Sequence, residues 1–405
     1  MEKVNVALIG IGGFGRVHTR NLTVLAEEGA VSCKAFAELR PENNRDVFEQ
    51  LTGMGAKHYT DYQEMLRQHP EVDLVVISTP LPLHKSMSIY AMEQGFHVLL
   101  EKPPAVTLAD YEAIVQTRNR TGRLCQVNFQ NTSGEAFRLM LRRLREGAIG
   151  RIQSVTGVGK WKRTQSYYDR SPWAGKLFYR GEYVLDGSMM NALSHLLNNA
   201  LFAAGYGQPA DAEPVSVTAE LYSAGGIESE NTACVRMQTK NGVEVRYYTT
   251  LCHENNETPY LLVCGERGWM RWNYKNELTI GNENGDEEQI RMEPEDLPLK
   301  MCRNMLDALR GKAELYCPVE ACRSYMLAAN GAFESSGKVH PLAGSYVTRR
   351  PDGDTTEILI NGISGIIDRC AEEGLLFSEA GIPWGVRTEP VSLEGFRHFR
   401  RFGGQ

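Results

Sequence analysis

The chain has 405 residues, of which 42% are hydrophobic and 23% charged. This is ordinary globular usage, which excludes a disordered, collagen-like or coiled-coil protein and points to two domains. Lys and Arg number 44 against 50 Asp and Glu, a net charge of −6 without a basic run, so neither nucleic acid nor a membrane surface is an expected partner. No apolar stretch is long enough to span a bilayer, and the N-terminus enters an apolar strand without the features of a signal peptide, so the protein is expected to stay where it is made. The nine cysteines (33, 125, 234, 252, 264, 302, 317, 322 and 370) lie scattered in apolar segments, with no CxxC and no Cys/His pair at zinc spacing. They read as reduced core residues of a cytoplasmic protein, with no metal site.

In chain order, short apolar runs alternate with helical patterns over residues 1–125, the spacing of parallel βαβ units. Strands are predicted at Val4 to Ile9, Cys33 to Ala37, Leu74 to Ser78, His97 to Leu100 and Cys125 to Phe129. Thr60 with Gln63 reads as a capping box for a helix over Asp61 to Gln68, Leu83, Met87, Tyr90 and Ala91 trace a second helix ending at Gly95, and Thr107 with Asp110 opens a third that stops at Gly122. This half is predicted to be a doubly wound Rossmann sheet.

Beyond it, residues 126–405 read as a second, α+β domain. Val215 to Ser223, Thr232 to Thr239, Val243 to Cys252, Pro259 to Cys264 and Trp269 to Trp272 alternate in polarity between Gly/Asn turns, the pattern of a large, mostly antiparallel open sheet. Helices are expected at Asn191 to Ala204, Pro298 to Arg310, Pro318 to Gly337 and Thr356 to Glu373, with an aromatic tail, Phe377 to Trp384, in an extension that begins near residue 340. An open sheet with an apolar outer face pairs readily with another copy, which favours a homodimer or homotetramer.

Gly10-Ile11-Gly12-Gly13-Phe14-Gly15 places GxGxxG at the end of the first strand and the start of a helix, where backbone amides receive a pyrophosphate. Glu38 ends the second strand at the spacing of a carboxylate that grips ribose hydroxyls, favouring NAD; Arg40, two residues on, would instead meet the 2′-phosphate of NADP. Thr79-Pro80-Leu81-Pro82-Leu83-His84 and Glu101-Lys102-Pro103 follow later strands, where such a sheet gathers ligands, and Gln130 lies just beyond the last of them. A lysine there can bind a substrate oxygen and assist proton transfer, or simply pair with Glu101 on the surface.

These three motifs, in this order, resemble the glucose-fructose oxidoreductase/inositol dehydrogenase (Gfo/Idh/MocA) family over roughly residues 4–340. The resemblance implies hydride transfer between nicotinamide and a sugar or polyol carbon, with Gly10 to Gly15, Glu38 and Arg40, Thr79, Pro80, Leu83, His84, Glu101, Lys102 and Gln130 around the dinucleotide. It also implies Lys102 and His195 as catalytic residues. The family's aspartate four residues before the histidine is Asn191 here, and an amide orients a hydroxyl without exchanging protons near neutral pH. Asp186, five residues earlier, stands nearly a turn and a half away on an α-helix and would not simply replace it. Arg163, Trp173 and Lys176, in an aromatic and basic stretch, suggest a carbohydrate wall. An NAD-dependent glycosidase using transient oxidation, or a non-catalytic sugar sensor, would use the same fold.

Overall fold

The computed structural model describes residues 3–403. Its first part runs β1 (Val4–Ile9), α1 (Gly15–Glu27), β2 (Val31–Ala37), α2 (Arg45–Gly53), β3 (Lys57–Tyr59), α3 (Tyr62–Gln68), β4 (Leu74–Ile77), α4 (His84–Glu93), β5 (His97–Leu100), α5 (Leu108–Thr121) and β6 (Cys125–Val127). The strands make one parallel sheet in the order β3-β2-β1-β4-β5-β6. The order reverses between β1 and β4, and ligands of such sheets bind outside the strand ends at this switch point. β1, β4 and β5 are buried on both faces, which is why they read as unbroken apolar runs. β3 was not predicted, because Lys57-His58-Tyr59 is an edge strand with no apolar run. The cap of α3 is Asp61, whose carboxylate accepts from Glu64 N at 2.8 Å, rather than Thr60. An anion at this place also meets the positive end of the helix.

The second part contains α6 (Glu135–Arg145), β7 (Ile152–Lys160), α7 (Gln165–Asp169), β8 (Phe178–Tyr179), β9 (Glu182–Tyr183), α8 (Ser194–Ala204), β10 (Pro214–Ser223), β11 (Thr232–Thr239), β12 (Glu244–Thr250), β13 (Tyr260–Gly265), β14 (Gly268–Asn273), β15 (Glu277–Asn282) and β16 (Glu287–Arg291). Then follow α9 (Leu297–Leu309), α10 (Arg323–Ser336), β17 (His340–Pro341), β18 (Val347–Asp352), β19 (Thr355–Ile360), α11 (Ile363–Glu373) and β20 (Val391–Ser392). The large sheet has the order β16-β15-β14-β13-β7-β12-β11-β10-β17, with β20 on β10, and is antiparallel except at β7/β12 and β10/β17. Side chains alternate across it: Tyr247 donates its hydroxyl to Leu193 O beside α8, and Tyr248 donates to Leu375 O on the other face.

Two expectations change here. Residues 356–360 are a strand and not the start of a helix, because the β-branched run Thr355-Thr356-Glu357-Ile358-Leu359-Ile360 pairs with β18, and the helix begins only after Gly362 at φ 73°. The helix predicted from Asn191 begins at Ser194, after a π-wound turn over Ser188–Ala192.

Residues up to Ala105, Ala109–Ser133 and Glu295–Glu320 form one compact unit, and Val106–Leu108, Gly134–Pro294 and the rest a second. A single boundary at residue 125 misses the returning segment. α9 is amphipathic and buries Cys302, Met305 and Leu306 in a core with Val6, Leu8, Leu22, Leu25 and Leu99. In the second unit, α11, Phe377 and Trp384 pack on Val158, Tyr222, Cys234 and Tyr248. The apolar outer face expected to pair with another copy is thus covered over these strands by the chain itself. No helix among the described residues is long and apolar enough to cross a membrane.

Candidate active site

In the first unit, the chain leaves β1 through Gly10, whose φ is 84° and whose hypothetical Cβ would lie 2.1 Å from Ser78 O; only glycine fits. A Cβ on Gly15 would lie 2.4 Å from Gly10 O, so the same lack of side chains lets α1 start against the strand. Nothing lies within 4 Å of a Cβ built on Gly13, so the loop is open there. α1 has no side-chain cap and no acid in its first turn, leaving its positive end to an anion. Glu38 accepts from Ile11 N at 3.2 Å and from Arg40 N at 3.0 Å, which holds its carboxylate against the glycine loop. Leu39 beside it is 75% exposed, a large apolar side chain left in the open.

Thr79 and Pro80 lead into a 3-10 turn, Leu81–Leu83, and Leu83 is exposed. His84 is buried, and its ring bridges Thr79 O (3.0 Å) and Pro103 O (2.9 Å). Its role is to tie the loop after β4 to the loop after β5; burial pushes its pKa down.

Glu101, at the end of β5, accepts from Lys102 N at 3.3 Å and from Asn128 Nδ2 at 2.6 Å, and pairs with His18 Nε2 at 2.7 Å. Both members of the pair are buried. Burial opposes the imidazolium of His18, but the neighbouring Cys302 and the hydrogen-bonded Glu101 outweigh it and raise the pKa to about 9. Glu101, opposed by burial too, is held low by His18. Glu101 is therefore no surface partner of Lys102; it anchors the turn that carries it. Sequence reasoning missed His18. The signal was an ionisable residue on the inward stripe of α1, with Leu22 and Leu25. Gln130 Oε1 is buried with no hydrogen-bond partner among the described residues. An uncapped helix end, an open glycine loop, a ribose-distance carboxylate and an unpaired amide oxygen together fit a dinucleotide.

In the second unit, Asn191 and His195 flank the junction of the π turn and α8. Bonds of the i→i+5 kind, Ala192 N to Gly187 O and Leu193 N to Ser188 O, wind this turn wide enough to return residue i+5 to the face of residue i. Asp186 precedes this turn, across Gly187 in extended backbone, and Asn191 Nδ2 donates to its Oδ1 at 2.6 Å. This corrects the expectation, built on α-helical geometry, that Asp186 lies too far away. Arg170 and Gly175 N hold the other oxygen of Asp186 at 2.7 and 2.8 Å. Leu185, just before it, is held at φ 51°, a strained conformation for a branched side chain. Beneath the turn, Glu230 accepts from Met189 N at 2.9 Å, and burial pushes its carboxyl up to about 7. A Cβ on Gly187 would sit 2.0 Å from this carboxylate, so the residue there has to be glycine.

The aromatic and basic stretch forms a ladder. Arg163 lies over Trp161 (4.8 Å) and Tyr167 (5.2 Å), and Arg170 over Tyr167 (3.9 Å) and Trp173 (5.2 Å). The Tyr167 hydroxyl accepts from Asn191 Nδ2 at 3.4 Å; burial and then Asp186 raise its pKa, keeping the phenol neutral. The structure thus brings Arg163, Trp173 and Asn191 into one network. Lys176 is instead held by Glu228 at 2.6 Å.

Residues 4–129 match the model of an oxidoreductase family with an NAD-binding Rossmann fold, and residues 137–271 that of the GFO/IDH/MocA C-terminal domain. The chain is 31% identical over 161 residues to the Glycosyl hydrolase family 109 protein 2 of Phocaeicola vulgatus (38% of each chain), and 29% identical over 150 residues to the scyllo-inositol 2-dehydrogenase (NAD(+)) of Bacillus subtilis (37% of this chain, 42% of that one). The matches thus span about two-fifths of these relatives. The WlbA dehydrogenase of Bordetella pertussis, solved with NADH and UDP-GlcNAcA, superposes with a TM-score of 0.68 at 24% identity, over 83% of this chain and 97% of that one. With both of its characteristic domains present in order, the chain belongs to the GFO/IDH/MocA oxidoreductase family.

Proposed function

We propose that the protein is an NAD-dependent dehydrogenase that oxidises a hydroxyl of a sugar, polyol or sugar derivative. The observation that carries this reading is Lys102, fixed by the buried Glu101–His18 pair at the end of β5, in the same sheet as the glycine loop after β1. Backbone amides of Gly10, Ile11, Gly12, Gly13, Phe14 and Gly15 would hold the pyrophosphate, and Glu38 the adenosine ribose, with Leu39 and Arg40 at its rim. Thr79, Pro80, Leu83, His84 and Glu101 would frame the nicotinamide side, and Gln130 Oε1 could accept from a carboxamide. NAD supplies the hydride acceptor. Asn191, Arg163 and Trp173 would orient the substrate, the Lys102 ammonium would hold the reacting hydroxyl oxygen, and neutral His195 would take its proton while the hydride passes to NAD. All nine cysteines are free thiols, eight of them buried, which supports a reducing, cytoplasmic setting.

The name of the Phocaeicola relative supports a second reading, a glycosidase that oxidises, eliminates and re-reduces. Net redox change separates the two. In a screen of sugars, polyols and glycosides with NAD, the dehydrogenase reading expects NADH to accumulate one-for-one with an oxidised product; glycoside cleavage with no net NADH overturns it.

A further inference from the structure

The cations of this stretch are not all paired with acids. Lys160 pairs with Glu257 and Asp368, Lys162 with Asp352 and Glu357, Arg170 with Asp186 and Lys176 with Glu228, all at 2.6–2.9 Å. Arg163 differs. Its Nη1 donates only to neutral oxygens, Lys162 O at 2.7 Å and Asn256 Oδ1 at 3.1 Å, and it has no carboxylate partner among the described residues. Asp169, the other acid of this stretch, accepts from Gln165 at 3.0 Å. The two ring faces clamp the guanidinium of Arg163, and it reaches the Tyr167 phenol, which in turn meets Asn191. Of the cations in this stretch, Arg163 is the one without a carboxylate partner among the described residues.

A cation half removed from water and left without a counter-ion is costly unless a ligand supplies the charge. We propose that the substrate is a sugar acid whose carboxylate is bound by Arg163, with the hydroxyl to be oxidised placed at Asn191. A planar guanidinium over two aromatic rings presents paired N–H donors that match a carboxylate, and one unpaired guanidinium suits a monoanion better than a phosphate dianion. The inference rests on the dehydrogenase reading for the chemistry but not for the binding.

The test uses the full chain with NAD and measures both NADH formation and calorimetric affinity for glucuronate, galacturonate and gluconate, for glucose, galactose and myo-inositol, and for glucose 6-phosphate. The acids are expected to exceed their neutral counterparts in kcat/KM by about 10²-fold or more, carried mainly by KM, as a charge-assisted bidentate contact allows. Arg163→Gln is expected to collapse that ratio toward one, and Arg163→Lys to restore part of it. Equal use of acids and neutral sugars, no binding of any acid, preference for the phosphate, or an unchanged ratio in Arg163→Gln would each overturn the proposal. Should no compound reduce NAD, Arg163-dependent binding of an acid would still support the inference while overturning the dehydrogenase reading.

Discussion

At the scale of single residues, the site turns on where its carboxylate stands. Asp186, just before the π turn and across the extended Gly187, reaches Asn191 at 2.6 Å, so the chain keeps an acid in the network although the family motif places it four residues before the histidine. Asn191→Asp alone would set two carboxylates at about 2.6 Å, where like charge raises one of the two pKa values and disfavours the doubly ionised state. Turnover is therefore expected to fall by about tenfold or more, with partial recovery at lower pH. Asp186→Asn with Asn191→Asp exchanges the two groups and should restore turnover to within a few-fold. The pH–rate profiles of the three variants check this; a double variant no better than the single one contradicts the pairing. Glu38 carries a separate expectation. Glu38→Ala, with Arg40 retained, should weaken NADH binding and improve NADPH binding in a fluorescence titration, because the carboxylate both grips ribose and repels a phosphate.

At the scale of elements, α1 and β5 are joined by the buried His18–Glu101 pair, and the pair should show in stability against pH. The fold favours the imidazolium, so its contribution is complete below about pH 6.5 and is lost as pH rises through about 9. Glu101 is held low, so its contribution is present above the usual carboxyl range and is lost as pH falls. Tm is expected to decline by several degrees between pH 6.5 and 9, and His18→Gln combined with Glu101→Gln should flatten that decline; an equal slope in both proteins rules it out. The glycine loop and Glu38 could be read in the sequence because their chemistry sits in neighbouring residues at fixed spacing. His18 could not, because its partner is 83 residues away. Asp186 was misjudged because helical periodicity was extended to a residue that stands before the helix, beyond the extended Gly187. β7 was overlooked and β19 read as helix, since short apolar runs look alike until a partner strand selects one.

For the whole molecule, the extension beyond residue 340 occupies a sheet face that would otherwise be open. A chain ending at residue 346 would expose Val158, Tyr222, Cys234 and Tyr248, and is expected to self-associate or precipitate where the full chain does not; light scattering decides it. The dimer or tetramer that we propose for the full chain would accordingly form through a surface other than this face. On the proposed function, Lys102, and not the fold alone, carries the reaction. Lys102→Met removes the ammonium at similar length, and the measurement is steady-state turnover with NAD beside an NADH binding titration. The account predicts turnover reduced by roughly 10²-fold or more with NADH affinity changed by less than about threefold. Near-normal turnover in this variant, with its NADH affinity intact, would contradict it.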